Sequence, residues 1–215
     1  DQLLVTIALR EPPLRTGAVD RYLLLASVLG LEPVLVLTKT DQAPEPDPGW
    51  AVLEPYRAVG VPIVATSAKD KSGLDALIGI LRNRVSVFSG HSGVGKSSLC
   101  LALELVGAPV AGAMSNSGGR VRGRHTTSVA RLLEIPGGGW VVDTPGVRAI
   151  GLVDLRREDV AVHFPEFANA ARECSYADCM HVQEEDCAVR NATSAGEIPD
   201  ARYQSYVRLL ESLDS

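Results

Sequence analysis

Apolar runs of strand length alternate with segments of helical spacing along most of this chain. Strands are expected at 3–9, 33–37, 62–65 and 85–88, and helices at 18–29, 50–59, 73–81 and 96–105. Because strand and helix alternate, the pattern predicts an α/β fold with a parallel sheet. Two further apolar runs, 128–135 and 140–142, are joined by a proline and three glycines and predict a hairpin.

The pattern changes after Ile150, where the predicted elements become short and helical. In the last of them, 201–213, apolar residues recur at helical intervals, which predicts an amphipathic helix packed on the rest of the chain. A chain of 215 residues can form one α/β core and a smaller unit. We expect a large domain at 1–152 and a small, mainly helical domain at 153–215.

A glycine-rich segment stands between the predicted strand 85–88 and the predicted helix that starts at Lys96. It fits the phosphate-binding P-loop pattern, whose glycines let backbone N–H groups and a helix N-terminus point at phosphate oxygens. Lys96 is expected to reach the β and γ phosphates, and Ser97 to ligate Mg²⁺. A turn without a ligand is the alternative. The expected contacts with the nucleotide are Gly90, Ser92, Gly93, Val94, Gly95, Lys96, Ser97 and Ser98.

The segment Asp143-Thr144-Pro145-Gly146 follows the predicted strand that ends at Val142. Open α/β sheets bind ligands at the carboxyl ends of their strands, so Asp143 is a candidate Mg²⁺ ligand. The Gly146 amide is a candidate contact for a γ-phosphate, which would make this segment a switch. Taken alone, such a segment is more often an ordinary turn.

Two polar motifs also follow predicted strands, Thr38-Lys39-Thr40-Asp41 and Thr66-Ser67-Ala68-Lys69. They resemble the base-recognition motifs of the GTPase superfamily, where Asp41 would accept two hydrogen bonds from guanine and the backbone at 67–69 would read its carbonyl. Adenine lacks those donors, and a buried carboxylate left unpaired costs about 1–3 kcal/mol. In ordinary GTPases these motifs come after the P-loop. Here they precede it, so the resemblance implies a circularly permuted GTPase.

Three of the four cysteines lie in one short segment together with a histidine. Three thiolates and an imidazole are the ligand set of a closed tetrahedral zinc site, and a structural zinc would stabilise a domain too small to bury much apolar surface. Core cysteines grouped by chance are the alternative. Cys100, after the P-loop, is expected to be a small core residue. The predicted zinc ligands are Cys174, Cys179, His181 and Cys187.

The permuted order, the segment Gly123-Arg124-His125-Thr126-Thr127 and the metal cluster together resemble the RsgA family of bacterial ribosome biogenesis GTPases. The resemblance extends to the segments 1–4, 164–167 and 202–206 and so covers nearly the whole chain. It implies GTP hydrolysis in late maturation of the small ribosomal subunit, slow in isolation and stimulated by the subunit. It also implies GTP or GDP, the small subunit and its rRNA as partners, with Mg²⁺ and one zinc as cofactors.

This sequence departs from the family pattern in three places. Thr38 stands where the commonest motif has Asn, and losing the amide that bridges base and P-loop predicts a cost of about 0.5–1.5 kcal/mol in nucleotide binding. Family members carry an oligonucleotide-binding barrel ahead of the GTPase domain, whereas this chain opens at Asp1 rather than Met, so upstream residues are expected. Glu184-Glu185-Asp186 replaces a turn that often contains Pro and Gly, which should alter the loop but not the zinc ligands.

Hydrolysis needs a group that orients the attacking water, and the usual glutamine after the switch glycine is Val147 here. Slow intrinsic turnover is expected, with a group from elsewhere in the chain or from a partner completing the site. His125 is the candidate within the chain, because its loop should close over the γ-phosphate. A solvent-exposed histidine is the alternative. Thr127, rather than Thr126, is favoured as the Mg²⁺ ligand of this loop.

Charge and hydropathy limit the partners. A net charge of −5 argues against non-specific coating of nucleic acid, although the loop arginines Arg120, Arg122 and Arg124 could contact rRNA phosphates. A solvated switch loop is the alternative. No run approaches the roughly 20 apolar residues of a membrane-spanning helix. We expect a monomer without a membrane partner, located in the cytoplasm or, in a eukaryote, in an organelle.

The sequence leaves two other functions as alternatives. A nucleotide-gated ribosome- or RNA-binding module with negligible hydrolysis is compatible with Val147. A permuted P-loop ATPase or kinase is disfavoured by Asp41, whose carboxylate suits guanine.

Overall fold

The computed structural model describes residues 1–105, 131–143 and 155–213, with the backbone alone at Arg131 and Asp143. Within these ranges six strands form one sheet: β1 (Gln2–Ala8), β2 (Glu32–Thr38), β3 (Ile63–Ala65), β4 (Val85–Ser89), β5 (Arg131–Glu134) and β6 (Trp140–Asp143). Their order across the sheet is β3-β2-β1-β4-β6-β5. Every neighbouring pair is parallel except the β5–β6 hairpin. The predicted parallel sheet and hairpin are confirmed.

The register brings the ends of the parallel strands to one edge of the sheet. β1 runs alongside β2 from the pair Gln2–Glu32 to the pair Ala8–Thr38. β4 lies on the other side of β1, with Val5 opposite Ser89. The carboxyl ends of β1, β2, β3, β4 and β6 therefore lie at the same edge, where ligands bind in open α/β sheets.

The helices have the following bounds: α1 (Thr16–Val28), α2 (Glu54–Ala58), α3 (Leu74–Leu81), α4 (Lys96–Ala102), α5 (Arg157–Val160), α6 (Ala188–Ser194) and α7 (Asp200–Leu213). Short 3₁₀ helices span Thr40–Gln42, Pro48–Leu53, Ala161–His163, Pro165–Phe167 and Ala170–Glu173. The helix expected at 50–59 thus begins as a 3₁₀ turn headed by Pro48. The helix expected to reach Leu105 ends at Ala102, and Glu104 takes a left-handed φ of 55°.

Apolar side chains cover both faces of the sheet. Along β1, Leu3, Val5 and Ile7 pack with α1 and the segment 48–58 on one face. Leu4 points to the opposite face and packs with α3 and α4, where Cys100 is a buried core residue as expected. Alternation along a strand explains this division, because successive side chains of a strand point to opposite faces.

The C-terminal part has its own apolar core. It is built from α5, α6, α7 and the 3₁₀ turns between them, with Phe164, Phe167 and Tyr206 at its centre. Helix α1 packs on the sheet, but the side chain of its Leu24 packs in this C-terminal core. The amphipathic helix predicted at 201–213 is therefore confirmed as α7, and it packs on α1.

Buried charges join α1 to the C-terminal part. Arg202 of α7 donates to Asp20 of α1 at 2.9 Å and to Glu166 at 2.7 Å, and all three side chains are at most 6% exposed. Tyr56 of α2 donates its hydroxyl to Asp20 at 3.1 Å. Burial raises the pKa of Asp20, although hydrogen bonds and Arg202 oppose that shift. We call Asp20, Tyr56, Glu166 and Arg202 the buried charge cluster.

None of the helices within the described ranges combines the length and the apolar character needed to cross a membrane.

Candidate functional site

The P-loop connects β4 to α4 at the carboxyl edge of the sheet. Gly90, Gly93 and Gly95 have φ angles of 134°, 84° and 107°, which residues with a side chain rarely adopt. At Gly90 there is a second constraint, because an added Cβ would collide with the Thr6 carbonyl group of β1. The glycines of the motif are therefore required by this backbone.

The Lys96 ammonium group lies against the P-loop. Its Nζ donates to the carbonyl oxygens of Gly90 at 2.6 Å and His91 at 2.9 Å. An ammonium group carries three N–H donors on a flexible stem, so it can exchange loop carbonyls for phosphate oxygens without moving far. The Lys96 side chain is thus positioned at the P-loop by backbone carbonyl groups.

Lys39 connects the base motif to the P-loop. It follows β2 with a left-handed φ of 58°, and its Nζ donates to Gly93 at 2.8 Å and to Glu11 at 2.7 Å. The three loops that follow β1, β2 and β4 are therefore held together by one ammonium group. The sequence predicted Lys39 as a site residue but not this link, since its acceptors are backbone carbonyls distant in the chain.

Thr38 makes a second link to the P-loop. Its side chain is buried, and its hydroxyl donates to the Val94 carbonyl oxygen. The Ile7 carbonyl oxygen of β1 is a second acceptor at 3.0 Å. A hydroxyl at the end of β2 thus links this motif to the P-loop, and the expected cost of the missing amide in nucleotide binding stays a prediction.

The Asp41 carboxylate is held by the second base motif. Ser67, which is fully buried, donates its hydroxyl to Asp41 at 2.9 Å. The same Ser67 oxygen accepts the Lys69 backbone N–H at 3.2 Å, and the Lys69 ammonium lies 3.7 Å from Asp41. The loops after β2 and β3 thus orient one carboxylate, and its side chain remains 15% exposed.

These groups open onto one cleft of about 280 Å³. It lies between the base motifs and the start of α4, and it is lined by Thr38, Lys39, Asp41, Gln42, Ala68, Lys69, Gly95, Ser98 and Leu99. Seven of these nine were predicted as site residues, whereas Gln42 and Leu99 were missed. Ser67 lies behind Asp41, and Ser92 and Ser97 are exposed on the P-loop and the first turn of α4.

Several predicted residues fall outside the described part of the chain: His125, Thr127, Gly146 and the side chain of Asp143. The arginines at 120, 122 and 124 and Val147 fall there too. The backbone of Asp143 ends β6, and β6 pairs with the P-loop strand β4. Asp143 therefore stands at the edge of the sheet where the other motifs meet.

The ligand atoms of Cys174, Cys179, His181 and Cys187 all lie within 4.8 Å of one another. The His181 Nδ1 atom is 3.5 Å from the Cys174 sulfur and 3.4 Å from the Cys187 sulfur, and these two sulfurs are 4.0 Å apart. A tetrahedral zinc with usual bond lengths sets S···N near about 3.6 Å and S···S near about 3.8 Å. The four residues therefore form a group that could hold a metal, with His181 offering Nδ1.

Burial determines the protonation of this cluster. Burial raises the pKa of the Cys179 thiol to about 12, and burial lowers the pKa of His181, which favours the neutral imidazole that a metal binds. A bound divalent cation offsets the cost of a buried thiolate and displaces its proton. Metal binding to these residues would therefore release protons.

The RsgA GTPase family model matches residues 1–153. The chain belongs to this family. Curated relatives match along nearly all of it: the small ribosomal subunit biogenesis GTPase RsgA of Moorella thermoacetica is 42% identical over 98% of this chain and 71% of that protein. The protein of the same name from Chlorobaculum tepidum is 40% identical over 99% of this chain and 68% of that protein.

Two solved structures share the fold. YjeQ from Thermotoga maritima aligns with a TM-score of 0.82 at 36% identity, covering 99% of this chain and 71% of that one. YloQ, described as a circularly permuted GTPase, aligns with a TM-score of 0.78 at 28% identity, covering 100% of this chain and 68% of that one. This family fold accounts for base motifs that precede the P-loop yet meet it at one edge of the sheet.

Proposed function

We propose that this chain is a GTP hydrolase, converting GTP to GDP and phosphate, that acts in late maturation of the small ribosomal subunit. One observation carries the proposal: Thr38 and Lys39 hold the first base motif against the P-loop, so that Asp41 lines one cleft with Gly95 and Ser98 at the start of α4. The relatives named above carry small ribosomal subunit biogenesis in their names, which supports the partner.

In this proposal the cleft beside Asp41 holds guanine. The carboxylate accepts two hydrogen bonds from the N–H groups of the base edge, and the backbone N–H group at Ala68 donates to the guanine carbonyl. Ser67 keeps the carboxylate oriented. Adenine would offer Asp41 no matching pair of donors, so the carboxylate left unpaired towards the base rejects it.

The P-loop holds the phosphates. Its backbone N–H groups and the Lys96 ammonium contact phosphate oxygens, and Ser98 borders the cleft on the side of α4. Ser97, Thr127 and Asp143 are the proposed Mg²⁺ ligands, and Mg²⁺ when bound neutralises charge on the β and γ phosphates. His125 is the proposed group for orienting water. The valine side chain at Val147 has no polar group that could orient water, which predicts slow GTP hydrolysis without a partner.

The test is the steady-state hydrolysis rate with Mg²⁺, measured alone and with purified small ribosomal subunits, with ATP as the control nucleotide. We expect slow, GTP-specific turnover that the subunit raises. Lys96→Ala should abolish turnover, whereas Lys71→Ala, an exposed lysine outside the cleft, should not. ATP turnover equal to that of GTP would reject the guanine assignment.

A nucleotide-gated binding module is the second candidate, motivated by Val147. It predicts that the small ribosomal subunit binds this chain more tightly in one nucleotide state, while the rate of GTP hydrolysis stays at the background level. Multiple turnover that Lys96→Ala removes would exclude this candidate. A subunit that neither binds nor stimulates would exclude the ribosomal role and leave the GTPase.

We propose that the Cys₃His group holds one structural zinc. Four protein ligands leave no open position for a substrate, which suits a role in folding. Elemental analysis should find one zinc per chain, and Cys187→Ser should lose it. Stripping the metal should unfold the C-terminal part first, because metal binding there supplies folding energy.

We propose a division between a GTPase domain at 1–152 and a zinc domain at 153–215, working as a cytoplasmic monomer. Separate apolar cores support the division, with Leu24 of α1 the residue from 1–152 that packs in the C-terminal core. Limited proteolysis should cut between the two parts before it cuts within either, and light scattering should give the mass of one chain.

A further inference from the structure

Glu184 accepts three backbone N–H groups from the loop that carries His181. Met180 donates to Oε1 at 2.8 Å, and Val182 and Gln183 donate to Oε2 at 3.0 and 3.1 Å. Both carboxylate oxygens are used, and the three donors lie on either side of the histidine. One side chain therefore holds the backbone that presents a candidate metal ligand.

The same stretch of backbone is held from its other side by α7. The Tyr206 hydroxyl donates to the Met180 carbonyl oxygen at 2.7 Å, and the Tyr203 hydroxyl donates to the His181 carbonyl oxygen at 2.8 Å. Glu184 thus binds N–H groups of this stretch of backbone, and the two tyrosines bind its carbonyl oxygens. The loop belongs to no helix or strand, so these side chains replace the hydrogen bonds that regular structure would supply.

His181 itself has an unfavourable backbone conformation. Its φ is 58°, in the left-handed region that residues other than glycine seldom occupy. A histidine in this region needs surrounding contacts that hold it there. The amides on both sides of His181 have that contact in Glu184, and the result is Nδ1 within 3.5 Å of two sulfurs.

We propose that Glu184 is a positioning residue for the metal site: it is not a ligand, and it holds the His181 loop in the shape that binds the ion. This rests on the proposed zinc function. A loop already shaped for the metal loses less conformational freedom on binding, and such supporting contacts typically change metal affinity by about 10- to 100-fold.

Charge suits this role. Partial burial acts to raise the pKa of Glu184, but the hydrogen bonds from backbone N–H groups outweigh it and lower the pKa to about 2. An ionised carboxylate accepts hydrogen bonds and donates none, and it makes stronger bonds to N–H groups than a neutral acceptor does. The neighbouring Glu185 is exposed and accepts none of the three amides.

Glu184→Gln tests the proposal, with Glu185→Gln as the matched control. A glutamine has the same shape but only one accepting oxygen, so its NH₂ group must face one of the amides that Glu184 now binds. Zinc affinity would be measured by competition with a chromophoric chelator on the whole chain. We expect E184Q to bind Zn²⁺ roughly 10- to 100-fold more weakly and E185Q to keep the original affinity.

Amide hydrogen exchange on the chain as purified supplies a readout other than zinc affinity. E184Q should accelerate exchange at Met180, Val182 and Gln183 while exchange in the sheet is unchanged. Equal zinc affinity in the two variants, or unchanged protection of the three amides in E184Q, would overturn the proposal. An original chain that fails to bind Zn²⁺ would instead reject the zinc function, and the exchange data would still decide the role of Glu184.

Discussion

At the scale of single residues, the Thr38 hydroxyl links the first base motif to the P-loop. Thr38 is buried at the end of β2, and its hydroxyl donates to the Val94 carbonyl oxygen of the P-loop. Thr193 of α6, in the C-terminal part, donates its hydroxyl to the Val189 carbonyl oxygen at 2.9 Å. Both threonines bind a backbone carbonyl, but Thr193 lies outside the nucleotide site, which makes it the control.

Thr38→Val should weaken GDP binding by roughly threefold to tenfold, because about 1 kcal/mol of hydrogen bonding between β2 and the P-loop is lost. Thr193→Val should cost at most a similar amount of folding free energy and leave GDP affinity unchanged. Isothermal titration with GDP and urea unfolding measure the two effects. Equal GDP affinities in the two variants would show that the Thr38 bond does not organise the P-loop.

Asp41→Asn should lower GTP affinity by roughly 10- to 100-fold, because charge-assisted hydrogen bonds of about 1.5–3 kcal/mol are lost. The new NH₂ group can donate to the C2 carbonyl of xanthine, so affinity for xanthosine triphosphate should rise. Competition against a fluorescent nucleotide measures both. Asp75→Asn, on the exposed side of α3, is the control and should change neither. A variant that keeps its preference for GTP would reject Asp41 as the guanine acceptor.

At the scale of elements, α1 serves two cores. Val19, Leu23 and Ala26 pack against the sheet, whereas Leu24 belongs to the C-terminal core and Asp20 to the buried charge cluster. The residues 20 and 24 are one helical turn apart, so they share a face. Helix α1 is buried on two sides, which explains why its sequence is more apolar than that of a surface helix.

Leu24→Ala should therefore reduce the free energy of unfolding by about 2–5 kcal/mol, the usual cost of emptying a core leucine site. Val28→Ala, at the exposed end of the same helix, should stay within about 0.5 kcal/mol of the original. Urea unfolding followed by circular dichroism measures both. Similar midpoints for the two variants would contradict the assignment of Leu24 to a core.

At the scale of the whole molecule, the buried charge cluster is the polar part of the contact between the sheet domain and the C-terminal part. Arg202 reaches Asp20 and Glu166 together, and its guanidinium also lies 4.8 Å from the centre of the Phe164 ring. Breaking a buried ion pair by removing one partner is costly, because a charge is left buried with fewer partners. The cluster therefore links α1, α7 and the segment before α6 through buried charges.

Arg202→Met should destabilise the chain by about 3–5 kcal/mol, because Glu166 would lose its buried cation and Asp20 would lose the nearer of its two guanidinium partners, keeping Arg208 at 3.8 Å. Arg156→Met breaks an ion pair with Asp159 whose side chains are 71% and 41% exposed, and it should cost less than about 1 kcal/mol. Unfolding followed by tryptophan fluorescence reports on the sheet domain, since Trp50 and Trp140 both lie there. Equal losses in the two variants would show that the cluster does not hold the parts together.

The motifs that could be predicted from sequence are those whose chemistry is local. The P-loop glycines and Lys96 form a contiguous pattern between a strand and a helix, and the structure has the backbone that this pattern requires. The Cys₃His group was visible because its members lie close together in the chain, and their ligand atoms converge. The predicted limits of the helices were less accurate near Pro48 and Ala102, because turn geometry and packing decide where a helix begins and ends.

The sequence by itself determined the α/β class, the permuted order of motifs and the ligand set of the metal group, because periodicity, spacing and residue chemistry are properties of short segments. Only the tertiary structure decided that Thr38 and Lys39 bind the P-loop, that Arg202 meets Asp20, and that Glu184 holds the His181 loop. Each of these depends on a hydrogen bond whose geometry local sequence does not specify. Such bonds form only once the sheet edge, the loops and α7 have come together.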